Sequence, residues 1–392
     1  MMLQKVKTLA KKYADEFIQV RQHLHAHPEL SYKEFETSKF IQSKLAEYGI
    51  RFEVKATTGI VAIIKGKNPE TRVIALRADM DALPIKEENE VAYKSLNDGI
   101  MHACGHDVHT AILLGASKML NELKEDWEGT IKLIFQPGEE KNPGGASLMI
   151  KEGVLDNPRP QGIIGLHVHP GLDLGKLSFR KGRVMASADE IYITIKGKGG
   201  HAAAPQLTTD TVLIASHLIV ALQQVISRNN NPLSPSVLSI CSIQGGHTTN
   251  VIPSEVKLMG TFRAMDEAWR TKAHAIITQL SIGLVESMGA EIDLKIDVGY
   301  PTVDNDDNLT AVAWQLAEDF MGKENVQETE MRMGAEDFGY YTQVIPGCFY
   351  RLGVRNEAAG IIHNVHTPNF NIDEQAIETG IGMMTWLGIN AS

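Results

Sequence analysis

The sequence predicts an α/β fold: a mostly parallel sheet covered by helices on both faces, with an inserted α+β ferredoxin-like domain. Three observations predict it. Apolar runs without polar alternation, such as RVIALRADMD, TIKLIFQP and GIIGLHVHP, read as strands buried on both faces. Helical periodicity separates them, as in TAILLGASKMLNELKEDW, where Ile112, Leu113, Ala116, Met119, Leu120 and Leu123 recur at helical spacing. Near Ser187 the pattern changes to alternation. The order strand, helix, strand, strand, helix, strand then follows, which is that of a split ferredoxin-like unit.

Taken in order, a first helix runs from about Lys5 to Leu24 and ends before Pro28. His23, His25 and His27 at that end read as mainly structural. A second helix spans Phe35 to Tyr48, with Phe35, Ile41 and Leu45 on one side. The strands GIVAIIKG and RVIALRADMD precede MHACGHDVHT and its following helix. TIKLIFQP and GIIGLHVHP complete this part of the sheet. The inserted domain is placed at residues 187–298. It holds DEIYITIKGKGG, a helix from about Asp210 to Ser227, the strands SVLSICSIQGG and EVKLMGTFRAM joined through HTTNVIPS, a helix from about Glu267 to Met288, and EIDLKIDVG. The chain then returns to the first domain, placed at 1–186 and 299–392, with a helix from about Leu309 to Met321 and the strand CFYRLG.

Composition excludes several partners. With 43% hydrophobic and 22% charged residues, the 392-residue chain has the make-up of a water-soluble globular protein. A net charge of −10 argues against nucleic acid and against an anionic membrane. No uninterrupted apolar run reaches membrane-spanning length, and the charged start MMLQKVKTLAKKYADEF lacks the apolar core of a signal peptide. Cys104, Cys241 and Cys348 are odd in number and widely spaced. No disulfide framework is implied, and a reducing cytoplasm is the expected location.

The chemistry concentrates where apolar runs stop. In MHACGHDVHT, a soft thiolate (Cys104) and an imidazole (His106) two residues apart suit a transition metal such as zinc. FQPGEE ends in Glu139 and Glu140, GLHVHP carries His167 and His169, and HTP places His366 late in the chain. Adjacent glutamate side chains diverge, so one can bind metal while the other reaches the attacking water. Asp79 and Asp81 alternate along RADMDALP and can accept the second N–H of a ligating histidine. In the inserted domain, His201 follows a glycine turn, Asn250 precedes Pro253, and Arg263 suits a grip on a carboxylate. Two other classes remain open: a cysteine hydrolase pairing Cys104 with His102 or His106, and a non-catalytic metal-binding protein.

The runs RQHLHAHPELSYKE, RADMDALP, MHACGHDVHT, FQPGEE, GLHVHP, GKGGHAAAP, NVIP, MGAEDF and HTPNF together resemble the amidohydrolase branch of the co-catalytic metallopeptidase family. That branch includes N-acyl-L-amino acid amidohydrolases, hippurate hydrolases and indole-acetyl-amino-acid hydrolases. The resemblance implies two divalent metal ions per subunit (zinc, manganese, cobalt or nickel) bridged by Cys104. His106, Glu140, His167 and His366 would complete the ligand set, with Glu139 as general base and Asp81 as the site-orienting aspartate. The wider family has a histidine ligand where this chain has Asp79, and often an alanine where it has Gly138. His201 would stabilise the oxyanion, and Asn250 and Arg263 would hold the substrate, an N-acyl amino acid. A homodimer through the inserted domain is implied. Within the family, N-acetyl-diaminopimelate deacetylase or dipeptidase activity is the nearest alternative.

Overall fold

The computed structural model describes residues 1–391. These form two compact units. The first comprises residues 1–184, 304–330 and the chain from Asp337 onward; the second comprises 185–303 together with 331–336. The short segment 331–336 belongs with the second unit through backbone bonds, Ala186 N donating to the carbonyls of Arg332 and Gly334. Its sequence carries no strand-like run that would have marked it.

The first unit is built on eight strands: β1 (Phe52–Lys55), β2 (Gly59–Lys65), β3 (Val73–Asp79), β4 (Thr130–Gln136), β5 (Gly162–Asp173), β6 (Leu177–Phe179), β7 (Val326–Glu328) and β8 (Gly347–Arg355). Their spatial order is β1-β2-β4-β3-β5-β8-β6-β7. The centre of the sheet is parallel, β4 on β3, β3 on β5 and β5 on β8. These strands are the continuous apolar runs of the sequence, and β4 is buried at every position. Helices α1 (Met2–Ala26), α2 (Phe35–Glu47), α3 (His106–Glu122), α4 (Asp307–Met321) and α5 (Ala376–Asn390) flank the sheet. Aspartate caps start several helices: Asp306 accepts from the backbone N–H of Leu309 in α4, and in the second unit Asp210 and Asp266 do the same for Leu213 and Trp269.

The parallel register sets up one end of the sheet. The ladder between β3 and β5 stops at Arg77 opposite Gly165, while β5 continues beside β8. His167 therefore stands level with Asp79, the last residue of β3, although it lies inside its own strand and not at its end. In open α/β sheets this carboxyl edge is where ligands bind. A second difference from the sequence reading concerns α3, which begins at His106 and so carries the metal-type motif on its first turn.

The second unit has the strands Ser236–Gln244, Glu255–Ala264, Asp189–Lys196 and Glu291–Val298 side by side, all antiparallel. The helices Thr211–Gln224 and Glu267–Ser287 supply Ile214, Leu218, Leu222, Trp269 and Ile277 to its separate core. This is the ferredoxin-like arrangement. The stretch Thr211–Asn229 is long and apolar enough by composition to cross a membrane. Its buried residues instead fill this core, and His217 and Arg228 interrupt it.

In the first unit, α1, α3 and α5 meet at glycines. A Cβ on Gly115 would come within 2.4 Å of Ile381 Cγ2, and one on Gly380 within 2.3 Å of Ile112 Cδ1. Both contacts lie in fully buried packing, so the helices approach only because side chains are missing there. Gly115→Val should destabilise the protein by about 1–3 kcal/mol through overpacking. Urea unfolding measures it as a lower midpoint with an unchanged slope.

Candidate metal centre

Four segments of the first unit converge at the carboxyl edge of the sheet. They are the turn before α3 with Cys104, the first turn of α3 with His106, the loop after β4 with Glu139 and Glu140, and β5 with His167. A fifth, the loop before α5, brings His366. Cys104 Sγ lies 3.4 Å from His167 Nε2 and 3.3 Å from His366 Nε2. His366 Nε2 is 3.2 Å from Glu140 Oε1. The donor atoms form two sets that share the thiol: Cys104 with His106 and His167, and Cys104 with Glu140 and His366. A third set holds His106, Glu139 and Glu140.

The donor chemistry fits metal ions of borderline softness. His106 Nε2 is buried without a hydrogen-bond partner, the carboxylate oxygens of Asp79 and Glu139 lying 3.7 and 4.0 Å away. Its other nitrogen, Nδ1, faces Asp81 Oδ1 at 3.1 Å and the Asp81 carbonyl at 2.9 Å. A carboxylate behind the imidazole sets the tautomer that leaves Nε2 for a cation. His167 does likewise with a backbone group, its Nδ1 donating to the Val168 carbonyl at 2.7 Å. Burial and the neighbouring His109 hold His167 well below the usual imidazole range, so it is neutral and able to donate a lone pair. Burial also lowers His106, but Asp79 and Asp81 outweigh it and raise the group to about 10. The cluster thus draws positive charge toward that nitrogen.

Asp81 organises the acidic loop. Its Oδ1 accepts the backbone N–H of Glu139 at 3.0 Å, and its Oδ2 accepts that of Glu140 at 3.0 Å and the Ser31 hydroxyl at 2.6 Å. Burial opposes ionisation here, yet these donors and His106 keep the carboxyl below its ordinary value. Asp79 is differently engaged. It takes the Nδ1 proton of His109 at 2.6 Å and the Arg77 guanidinium at 2.7 Å. His109 Nε2 in turn accepts the Val168 N–H, which removes this histidine from the donor set.

Sequence reasoning missed a buried network behind the site. Arg77 bridges Asp79 and Asp337, and Asp337 also accepts from Gln136 and from Ala146 N. The backbone N–H of Asp337 points to Glu139 Oε1 at 3.4 Å. Arg77, Asp79, Gln136 and Asp337 sit in motifs already singled out, but nothing local joins Arg77 to a partner 260 positions away. A second network ties α1 to α3: Arg21 and His25 both hold Asp107, and His25 also meets Glu87.

A cysteine nucleophile works without metal, and the protein's own field opposes it. Burial and the carboxylates of Glu140, Glu139 and Asp79 push the Cys104 thiol well above its usual value. Reactive cysteines sit instead in electropositive surroundings. Neither ring nitrogen of His102 has a hydrogen-bond partner among the described residues, so it makes no base pair with Cys104.

The other expected site residues lie in the second unit. His201 sits on a two-residue strand opposite Val251, and the Asn250 carbonyl accepts the Ala202 N–H at 3.0 Å. The structure thus brings His201 and Asn250 together. His201 Nδ1 accepts the Ala203 N–H at 3.0 Å, leaving Nε2 for an outside partner. Arg263 is on a different strand of that unit, Glu255–Ala264, with its Nε donating to Thr261 Oγ1.

Residues 75–387 match the model of peptidase family M20/M25/M40. N-acetyl-L-cysteine deacetylase of Bacillus subtilis is 42% identical over 92% of this chain and 85% of its own length. N-acyl-L-amino acid amidohydrolase of Geobacillus stearothermophilus is 41% identical over 78% of this chain and 82% of its own. The crystal structure of the Bacillus subtilis YXEP protein, a dinuclear metal binding peptidase from the M20 family, superposes with a TM-score of 0.83 at 33% identity, covering 97% of this chain and 98% of that one.

Asp81→Asn tests the organising role of the carboxylate. One amide nitrogen would face donors it cannot accept, leaving a backbone N–H of the acidic loop unpaired. Stability should fall by about 1–3 kcal/mol, and metal affinity by roughly 10–100-fold. Thermal unfolding and a competition titration with a chromogenic chelator measure the two effects.

Proposed function

The chain belongs to peptidase family M20/M25/M40, and we propose that it hydrolyses the amide of N-acyl-L-amino acids, releasing a carboxylic acid and a free amino acid. The observation that carries the reading is Cys104 as the shared member of two donor sets, the arrangement of a bridging ligand. The relatives named for N-acyl-amino acid and N-acetyl-cysteine hydrolysis support the substrate class.

Two divalent ions, drawn from zinc, manganese, cobalt or nickel, would be held by Cys104 with His106 and His167 on one side and Glu140 and His366 on the other. When bound, they would polarise the amide carbonyl and acidify the attacking water. Glu139 takes that water's proton and delivers it to the leaving amine. Its carboxylate stands beside the two sets that contain Cys104 without joining either, which supports a base over a ligand. Asp81 holds the backbone of both glutamates, so base and ligand keep a fixed separation. His201 stabilises the oxyanion with its Nε2, and Asn250 and Arg263 grip the substrate.

The two glutamates should therefore separate by experiment. Glu139→Gln keeps its metal and loses roughly 10²–10⁴ in turnover. Glu140→Gln, like Cys104→Ser, loses metal first. Metal content by mass spectrometry beside single-turnover hydrolysis distinguishes them, and the reverse pattern would exchange the two roles.

We further propose that the protein is a homodimer through the second unit, with His201 serving the partner's site. The motivation is that His201 belongs to one unit and every proposed ligand to the other. The outer strands of the ferredoxin-like sheet also have an edge able to pair with a copy. His201→Ala and Glu139→Ala are each expected to be inactive. Mixed under subunit exchange, they should regain activity, because one site of the hybrid carries neither defect. Verified heterodimers that stay inactive would rule out the shared site.

A further inference from the structure

We propose that the segment Ser31–Glu34, and Tyr32 above all, is a positioning element that fixes the direction of both glutamates. This rests on the reading of Glu139 as base and Glu140 as ligand given above.

The loop from Pro137 to Gly144 has to present two adjacent carboxylates in divergent directions. Asp81 holds the backbone N–H groups of Glu139 and Glu140. The residues on either side of that pair are held from elsewhere. Gly138 N donates to Glu34 Oε1 at 2.8 Å. The Tyr32 hydroxyl donates to the Lys141 carbonyl at 2.5 Å and accepts the Gly144 N–H at 2.9 Å. Ser31 donates to Asp81 itself. Three residues of one four-residue segment thus reach the loop: Glu34 at its start, Tyr32 at its end, and Ser31 through the Asp81 carboxylate that holds its middle.

The contact is also steric. A Cβ on Gly138 would fall 2.3 Å from Tyr32 Cε1, so the ring lies directly on the loop backbone. Gly138 adopts φ +56°, and Tyr32 itself adopts φ +65°, a conformation that L side chains seldom take. Such backbone persists only where its surroundings over-determine it. Here Tyr32 N donates to Glu34 Oε1 at 2.8 Å, and Thr58 Oγ1 donates to Oε2 at 2.8 Å. Glu34 is wholly buried, and these donors with the Gly138 N–H stand in for water around its carboxylate. An alanine at position 138 would not fit under this ring. Ring and glycine are therefore one device: the aromatic face replaces a side chain of the loop and stops it from tilting.

The consequence is mechanistic as well as structural. A tilt of the loop about Asp81 would swing Glu139 and Glu140 together, and a displacement of about 1 Å can cost roughly 10²-fold in rate. Tyr32→Phe keeps the ring and loses both hydroxyl bonds. Tyr32→Leu loses the ring as well.

The test uses the full chain and two independent readouts. Hydrogen exchange reports the loop without reference to catalysis. In Tyr32→Leu, the amides of Glu139, Glu140 and Gly144 should exchange at least about ten-fold faster, while those of Ile131–Phe135 in β4 stay protected. Hydrolysis of N-acetyl amino acids by the zinc- or manganese-loaded enzyme should lose roughly 10²-fold in kcat with KM within about two-fold, and Tyr32→Phe should fall between Tyr32→Leu and the natural protein. Zinc affinity should drop by roughly 10-fold. Gly138→Ala should impair the natural enzyme more than it impairs Tyr32→Leu, where the clash is gone and only the backbone strain at φ +56° remains. Folded Tyr32→Leu with unaltered loop exchange, or with faster exchange but natural kcat and zinc affinity, would overturn the proposal. If the natural protein hydrolyses no N-acyl amino acid, the substrate reading fails, and the exchange and zinc titrations still decide the role of Tyr32.

Discussion

The Asp81 carboxylate is the constraint on which the rest of the site depends. Burial makes an ionised carboxyl costly unless every lone pair is used. Asp81 uses them on Ser31, on the two glutamate N–H groups and on His106. Those donors come from the segment after α1, the loop after β4 and the first turn of α3. Remove the charge and three unrelated pieces of chain lose their common reference point. The parallel register adds the fourth piece, because it sets His167 level with the end of β3.

Around this hub the protein distributes buried charge in separate compartments. Arg77 neutralises Asp79 and Asp337 on one side. Arg21 and His25 neutralise Asp107 on another. A buried pair is a weak source of net stability, but removing one member leaves the other uncompensated. The compartments therefore act as geometric pins. Glu140 and the Cys104 thiol lie outside both compartments, in the donor set they share with His366.

Much of this was legible in the sequence, for physical reasons that differ by element. Buried strands such as β4 announce themselves because both faces are apolar, and the ferredoxin-like unit because its element order is distinctive. The donors stood out as polar residues closing apolar runs. By contrast, α5 has the sequence AIETGIGMMTWLGIN, apolar around most of its circumference, so it shows no helical period. The start of α3 at His106 was hidden because histidine and aspartate carry no helical signature. The Arg77–Asp337 pair lies beyond any local pattern. The need for a glycine at 138 is equally invisible locally, because it comes from the Tyr32 ring occupying the space of a Cβ.

The order of the donors along the chain has a consequence for synthesis. Cys104, His106, Glu140 and His167 leave the ribosome early, while His366 is 262 residues beyond Cys104. At roughly 5–20 residues per second, the early donors wait on the order of ten seconds or more for the last one. During that interval the group of Cys104, Glu140 and His366 lacks its third member. His366 closes the site in a left-handed backbone conformation, anchored through its N–H to the Ala103 carbonyl. The last of these donors to be made is thus also the one that docks onto the loop of the first, so the set of Cys104, Glu140 and His366 is complete only near the end of translation.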